Sequence, residues 1–333
     1  MTKYRTWGLF SWLLQRMQKR EWSLFGALAT EDRPLTAWHM LRTHKCLRET
    51  RLLYIEDMPS RFSSLTQKKI SSRMEEFTKD GGTAQEIGRH RINETLGEIS
   101  TEVTSFISSA GPNVILDVSA LPKRFFFPIL RTFLGTKSIS NLLVTYGVPS
   151  TYAPLNEPLV ENFEDWDHLP SFSGEYVQES PELLIISVGF EAMGLQQRFG
   201  RGERAPKTKL LFPFPSSPRS FQRAWGFVHR LQRTKSPDYF DISLVGANDV
   251  SDAFEKLVSL TEGGRLRVEL APFGPKPIAT AMCVFATLTG CPVYYTQPTV
   301  YNPRYSEGVS TVEAMPEIYG YCIRLNGCDL YEL

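Results

Sequence analysis

The chain has 333 residues, of which 42% are apolar and 22% charged, and a formal net charge of +1. This is an ordinary globular composition, long enough for two domains, and the near-neutral balance removes any global electrostatic case for nucleic-acid binding. The five cysteines include no C-x-x-C pair, which leaves a zinc site unsupported and fits a reduced, cytoplasmic protein.

In chain order, residues 1–20 come first. Trp7, Phe10, Leu13, Leu14 and Met17 fall at helical spacing and Arg16, Lys19 and Arg20 end the segment, which predicts an N-terminal amphipathic helix. No small-residue cleavage site follows the apolar stretch, so no signal peptide is expected. The face suits packing on its own domain, docking on a partner, or a membrane surface. An apolar face with two tryptophans is large for a free tail, and the expected role is docking on a protein partner or in a homo-oligomer. No apolar run is long enough for a membrane span.

Periodicity and breakers then predict strands at 22–29, 51–57, 113–119 and 141–147, with helices at 33–47, 60–79, 83–109 and 122–134. Residues 148–181 hold five prolines and seven acidic residues and read as an irregular connection. Alternation resumes with strands at 182–190, 208–214, 239–246, 265–271 and 292–297, helices at 191–199, 217–233, 249–262 and 276–288, and a last strand at 320–326. The expected fold is α/β: two similar Rossmann-like halves, 21–150 and 182–333, with mostly parallel sheets, joined through 151–181.

Two stretches echo one another. "NVILDVSALPKRFFFPIL" (113–130) and "RLRVELAPFGPKPIATAMC" (265–283) each pair an apolar strand bearing a carboxylate, Asp117 or Glu269, with a short loop, Pro-Lys and a helix. This suggests an internal duplication. A lysine at a helix start opposes the helix dipole, and a solvated lysine behind a first-turn proline is the plain structural explanation. Both Pro-Lys loops, however, follow strands of a parallel sheet, where ligands bind. Backbone N–H groups and a lysine there make an anion cradle. Lys123, Arg124 and Lys276 are thus expected to hold an anionic small molecule or nucleotide.

The order strand, Asp117, Ser119, short loop, Lys123, apolar helix resembles the late-strand motif of CRISPR-associated Rossmann-fold (CARF) domains, and Gly274 with Lys276 matches its glycine-lysine part. In the first half Leu121-Pro122 stand where the family carries glycine. The resemblance implies a loop that cradles a cyclic oligonucleotide second messenger in a prokaryotic defence system.

Other candidates are Gly189, which allows close backbone approach, and Glu191, suited to a ribose hydroxyl or to general-base work, or simply a helix-start acid. The basic stretch 198–209 reads as a solvated loop or a phosphate-gripping lid. Arg304, between Tyr301 and Tyr305, offers phosphate pairing beside stacking rings. No G-x-G-x-x-G or Walker-type glycine loop occurs, and no cofactor is expected. None of the five histidines sits beside a nucleophile motif. The expected function is therefore a binding module sensing a phosphorylated nucleotide. The alternatives are an enzyme on a nucleotide or nucleoside, with Asp117 or Glu191 as acid–base, and a scaffold subunit.

Overall fold

A computed structural model describes residues 5–17, 20–174, 181–195, 206–233 and 240–333. It divides into two compact units: residues 1–162 with 299–331, and residues 163–298 with 332–333. The chain runs β1 (Trp7–Leu9), α1 (Phe10–Arg16), β2 (Trp22–Leu28), α2 (Pro34–Thr43), β3 (Leu47–Glu56), α3 (Ser63–Lys79), β4 (Ile87–Arg91), α4 (Leu96–Ala110), β5 (Asn113–Asp117), α5 (Lys123–Gly135) and β6 (Asn141–Gly147). Three short strands follow, β7 (Pro149–Tyr152), β8 (Val160–Phe163) and β9 (Asp167–His168). Then come β10 (Leu183–Ser187), β11 (Lys207–Phe214), α6 (Pro218–Gln232), β12 (Phe240–Gly246), α7 (Val250–Leu260), β13 (Val268–Pro272) and α8 (Lys276–Thr289). The chain closes with β14 (Tyr294–Tyr295), β15 (Pro298–Tyr301), β16 (Ser306–Val309), β17 (Thr311–Val312), β18 (Met315–Pro316), β19 (Ile318–Leu325) and β20 (Cys328–Asp329).

In the first unit the main sheet has the order β1-β19-β6-β5-β2-β3-β4, with β20 beside β19. Strands β2 to β6 are mutually parallel, while β19 and β1 join antiparallel at the edge. Every residue of β2 is buried, as a central strand of a sheet covered on both faces must be. In the second unit the sheet order is β12-β11-β10-β13, all parallel, and Val293 adds an isolated parallel bridge to Leu270. Among the described residues no helix is long and apolar enough to cross a membrane.

The structure departs from the sequence reading in several places. The helix expected over 83–109 is interrupted: Ile87–Arg91 form an edge strand, and α4 begins only after a capping box in which Thr95 and Glu98 satisfy one another's backbone N–H groups. Its alternating burial is the period-2 signal of a half-covered strand. The expected helix at 191–199 does not begin at Glu191, because residues 191–194 are coil and turn; its remainder lies outside the described residues. The expected irregular connection, 148–181, carries β7, β8 and β9. The final strand, β19, pairs antiparallel with β6 in the first unit's sheet.

The N-terminal segment also differs. Its helix spans only Phe10–Arg16, and Trp7 lies in a strand paired with β19. Phe10, Leu13 and Leu14 are at most 5% exposed and belong to the first unit's core. A Cβ on Gly320 would lie 2.8 Å from Leu13, so the helix sits directly on β19 at a glycine. The expected docking face is thus largely used within its own unit, leaving Trp12 exposed. Leu13→Ala is expected to cost about 2–3 kcal/mol of stability in urea unfolding. Unchanged stability with altered self-association would instead return the segment to a docking role.

Candidate functional site

In a parallel sheet whose order reverses, the crossovers on either side of the reversal leave in opposite directions and open a crevice at the strands' carboxyl ends. In the first unit that point lies between β2 and β5, since β3 follows β2 on one side and β6 follows β5 on the other. The loops 29–33 and 118–122 flank it. Asp117 and Ser119 come together there, with Lys123 at the start of the helix that follows, and sequence reading missed two further members, Glu31 and Arg33.

Asp117 ends β5 and is 2% exposed. Its Oδ2 accepts from the Thr145 hydroxyl at 2.8 Å and the Ser119 hydroxyl at 3.1 Å, and its Oδ1 from the Ser119 N–H at 3.1 Å. The Ser119 hydroxyl in turn accepts the Gly147 N–H at 2.9 Å. A Cβ on Gly26 would lie 3.3 Å from the Asp117 Cβ, so β2 crowds the carboxylate from the side. Burial pushes the Asp117 carboxyl up to about 6, against the pull of Thr145, Ser119 and Arg33. The folded state therefore holds the extra proton between the unfolded value and about 6, and this group's contribution to stability falls as pH rises through that window. Asp117→Asn is expected to remove that slope, worth up to roughly 3 kcal/mol, read from urea midpoints across the acid range. A variant with the wild-type slope would show that Asp117 does not titrate there.

Lys123 is the first residue of α5, follows Pro122 as N-cap, and is 8% exposed. No side chain caps this helix. Burial drives the Lys123 amine down to about 7, so near neutral pH its charge responds to whatever anion arrives. Arg124 points elsewhere: its guanidinium donates to the Glu94 carbonyl at 3.3 Å, beside an open cleft lined by Arg91, Asn93, Glu94, Thr95 and Glu98.

Arg33 is 5% exposed. Its Nη1 donates to the Gly147 carbonyl at 2.9 Å and its Nε to Glu31 Oε2 at 2.9 Å, with a second bond from Nη2 to the same oxygen. The guanidinium carbon lies 5.6 Å from the Tyr146 ring centre. Burial alone would lower the Arg33 pKa, but Glu31, Tyr146 and Tyr152 together outweigh it and hold the group charged. The signal available in the sequence was "ATEDRP", an acidic pair and an arginine directly after the first strand of a parallel sheet.

Arg304 is exposed on the segment between β15 and β16; its N–H donates to Asn302 Oδ1 at 2.9 Å. The neighbouring Tyr301 N–H donates to Asp57 at 2.9 Å, and burial raises that carboxyl to about 6.

Gly189, Glu191, Gly274 and Lys276 lie in the second unit, around the reversal between β10 and β13. Pro275 is the N-cap of α8 and Lys276 its first residue, the same local geometry as Pro122-Lys123. The carboxylates do not correspond: counting back from the lysine, Asp117 stands six residues away and Glu269 seven, which in a strand means opposite faces. The loops are closed on each other, with the Gly274 N–H donating to the Ser187 hydroxyl at 2.9 Å. Glu191 lies between two arginines of α6, 3.7 Å from Arg223 and 3.4 Å from Arg230. The basic stretch 198–209 lies mostly outside the described residues.

No family model matches the chain, and no curated protein does. Among solved structures, a functionally unknown protein from Pseudomonas aeruginosa PAO1 aligns over 86% of this chain and 95% of its own, at 12% identity and a TM-score of 0.25, a likeness too low to carry an argument.

Proposed function

We propose that the first unit is a binding module for a phosphorylated nucleotide, seated at the crevice between β2 and β5. The observation that carries this reading is Lys123, a buried amine that opens α5 a few residues beyond the carboxyl end of β5. Burial disfavours the charged form of this amine, which a nearby anion would favour. A phosphate there would keep the lysine protonated and accept hydrogen bonds from it. The resemblance to CARF domains agrees with an oligonucleotide ligand and a role in prokaryotic defence. That the two units are related halves draws support from their shared order of parallel strands, third-second-first-fourth in each, and from the paired Pro-Lys starts of α5 and α8.

The test uses a diadenosine dinucleotide, whose single phosphodiester keeps its charge across neutral pH. Binding should take up a proton on Lys123. Affinity should therefore be highest below about pH 7 and fall by up to about tenfold per unit above it, with the uptake read by calorimetry in buffers of different ionisation heat. A pH-independent affinity, or no binding of this probe and no nucleotide released from the purified protein on denaturation, overturns the reading.

A second reading has its own observation. A buried carboxyl near 6, as in Asp117, suits general acid–base work on a nucleotide. Steady turnover lost in Asp117→Asn would establish it.

A further inference from the structure

Glu31 occupies an unusual position for a loop carboxylate. Its Oε2 accepts two bonds from the Arg33 guanidinium and one from the Ser306 hydroxyl. Lys69 also acts on it electrostatically. One guanidinium and a hydroxyl thus bond one oxyanion position, and a second cation acts on it from farther off. Each donor also has an anchor other than Glu31. Arg33 is also anchored on the Gly147 carbonyl and lies against the Tyr146 ring. Lys69 donates to the Pro303 carbonyl at 2.8 Å. Ser306 is held by the pairing of β16 with β7. A preorganised set of this kind recognises a phosphate oxygen as readily as a carboxylate.

We propose that this is a phosphate subsite of the first unit's crevice, and that Glu31 is its built-in occupant, displaced when ligand binds. The proposal rests on the nucleotide reading above and adds a gate to it. The segment carrying β16 is tied down at two successive carboxylates: Ser306 bonds Glu31, and the Gly308 N–H donates to Asp32 at 2.6 Å. Ligand phosphate on Arg33 and Lys69 expels Glu31 by like-charge repulsion. That removes one of the two ties and loosens residues 304–309. The plain alternative is a structural ion pair, in which Glu31 only fastens this segment. The two differ in sign: an occupant competes with ligand, whereas a fastener does not.

The experiment measures inorganic pyrophosphate binding to the full chain at neutral pH, together with hydrogen exchange of 304–309. Glu31→Gln keeps the shape and removes the competing charge. It should bind pyrophosphate about tenfold or more tightly than wild type. Exchange at 304–309 should rise in this variant without ligand and in wild type on saturation. Equal or weaker binding by Glu31→Gln, with wild type still binding, overturns the gate and leaves the nucleotide reading standing. If Glu31→Gln does not fold, Ser306→Ala decides: it leaves the Arg33–Glu31 pair and loosens the segment, and should bind more tightly by a smaller factor, unchanged or weaker binding being the overturning result. If no form binds pyrophosphate the subsite falls, and the nucleotide reading falls with it only if the dinucleotide also fails.

Discussion

Replacing Lys123 with methionine should raise the melting temperature of the first unit by several degrees and remove binding of a phosphodiester probe. Few substitutions are expected to do both. The physical ground is the buried amine, whose pKa burial drives to about 7. Between that value and the unfolded lysine's value, the unfolded chain binds the proton that the folded chain has lost, so stability rises with pH through this window. At neutral pH and below, the folded protein therefore carries most of the cost of burying this ammonium. Methionine fills a similar volume without charge, and lifting the cost of burying the ammonium is expected to stabilise by about 1–3 kcal/mol at neutral pH. That is several degrees for a unit of this size. The same change removes the charge-assisted bonds to an anion, roughly 1.5–3 kcal/mol each, or more than tenfold in affinity. Thermal melting and calorimetry on both proteins decide it. A variant that melts below wild type would make Lys123 a structural residue and leave the anion site without its main support.

This opposition between stability and site explains part of what was legible in the sequence. Pro-Lys at the end of an apolar strand stood out because it breaks a local rule, placing a cation where the helix dipole repels it. Local rules are broken where function is stored; of the residues singled out, Asp117 and Ser119 bond one another at the end of β5, and Lys123 opens the helix that follows. Arg33 and Glu31 were harder to see. They sit two residues apart in a loop, and an acidic residue beside an arginine there reads as a solvated surface. Only the sheet order and the return of residues 304–309 bury them. That return is long-range, and periodicity carries no record of it. For the same reason β19 was assigned by chain order to the second half, when its partner is β6. The short strands β8 and β9 failed for another cause: they are ribbons of four and two residues, too brief to establish a period. The N-terminal helix misled through its spacing, since Trp7 falls in helical register with Phe10 yet belongs to a strand.

Gly189→Ala should be the most damaging small substitution in the second unit, costing at least about 3 kcal/mol and abolishing that unit's cooperative transition. Sequence reading assigned this glycine to close approach of a ligand, and the structure supplies a different neighbour. A Cβ at Gly189 would lie 2.1 Å from the Phe273 carbonyl oxygen and 2.7 Å from its carbon. Both are backbone atoms at the end of β13, which is hydrogen-bonded to β10 along its length. Phe273 cannot swing aside easily, because its ring stacks on Trp166 at 6.0 Å and meets Tyr295 at 5.3 Å. Gly274→Ala should cost less, about 1–3 kcal/mol, since its nearest contact is the Ser187 side chain at 2.9 Å. Gly135→Ala is the control: nothing lies within 4 Å of its Cβ position, and it stands in a helix, where alanine is neutral or stabilising. Urea unfolding followed by tryptophan fluorescence separates the three. A Gly189→Ala protein as stable as wild type would mean that the loops after β10 and β13 do not meet. If they do meet, the crevice of the second unit is filled by its own backbone at the place a phosphate would need. The anion reading then belongs to the first unit, where a buried lysine and a buried arginine flank the reversal.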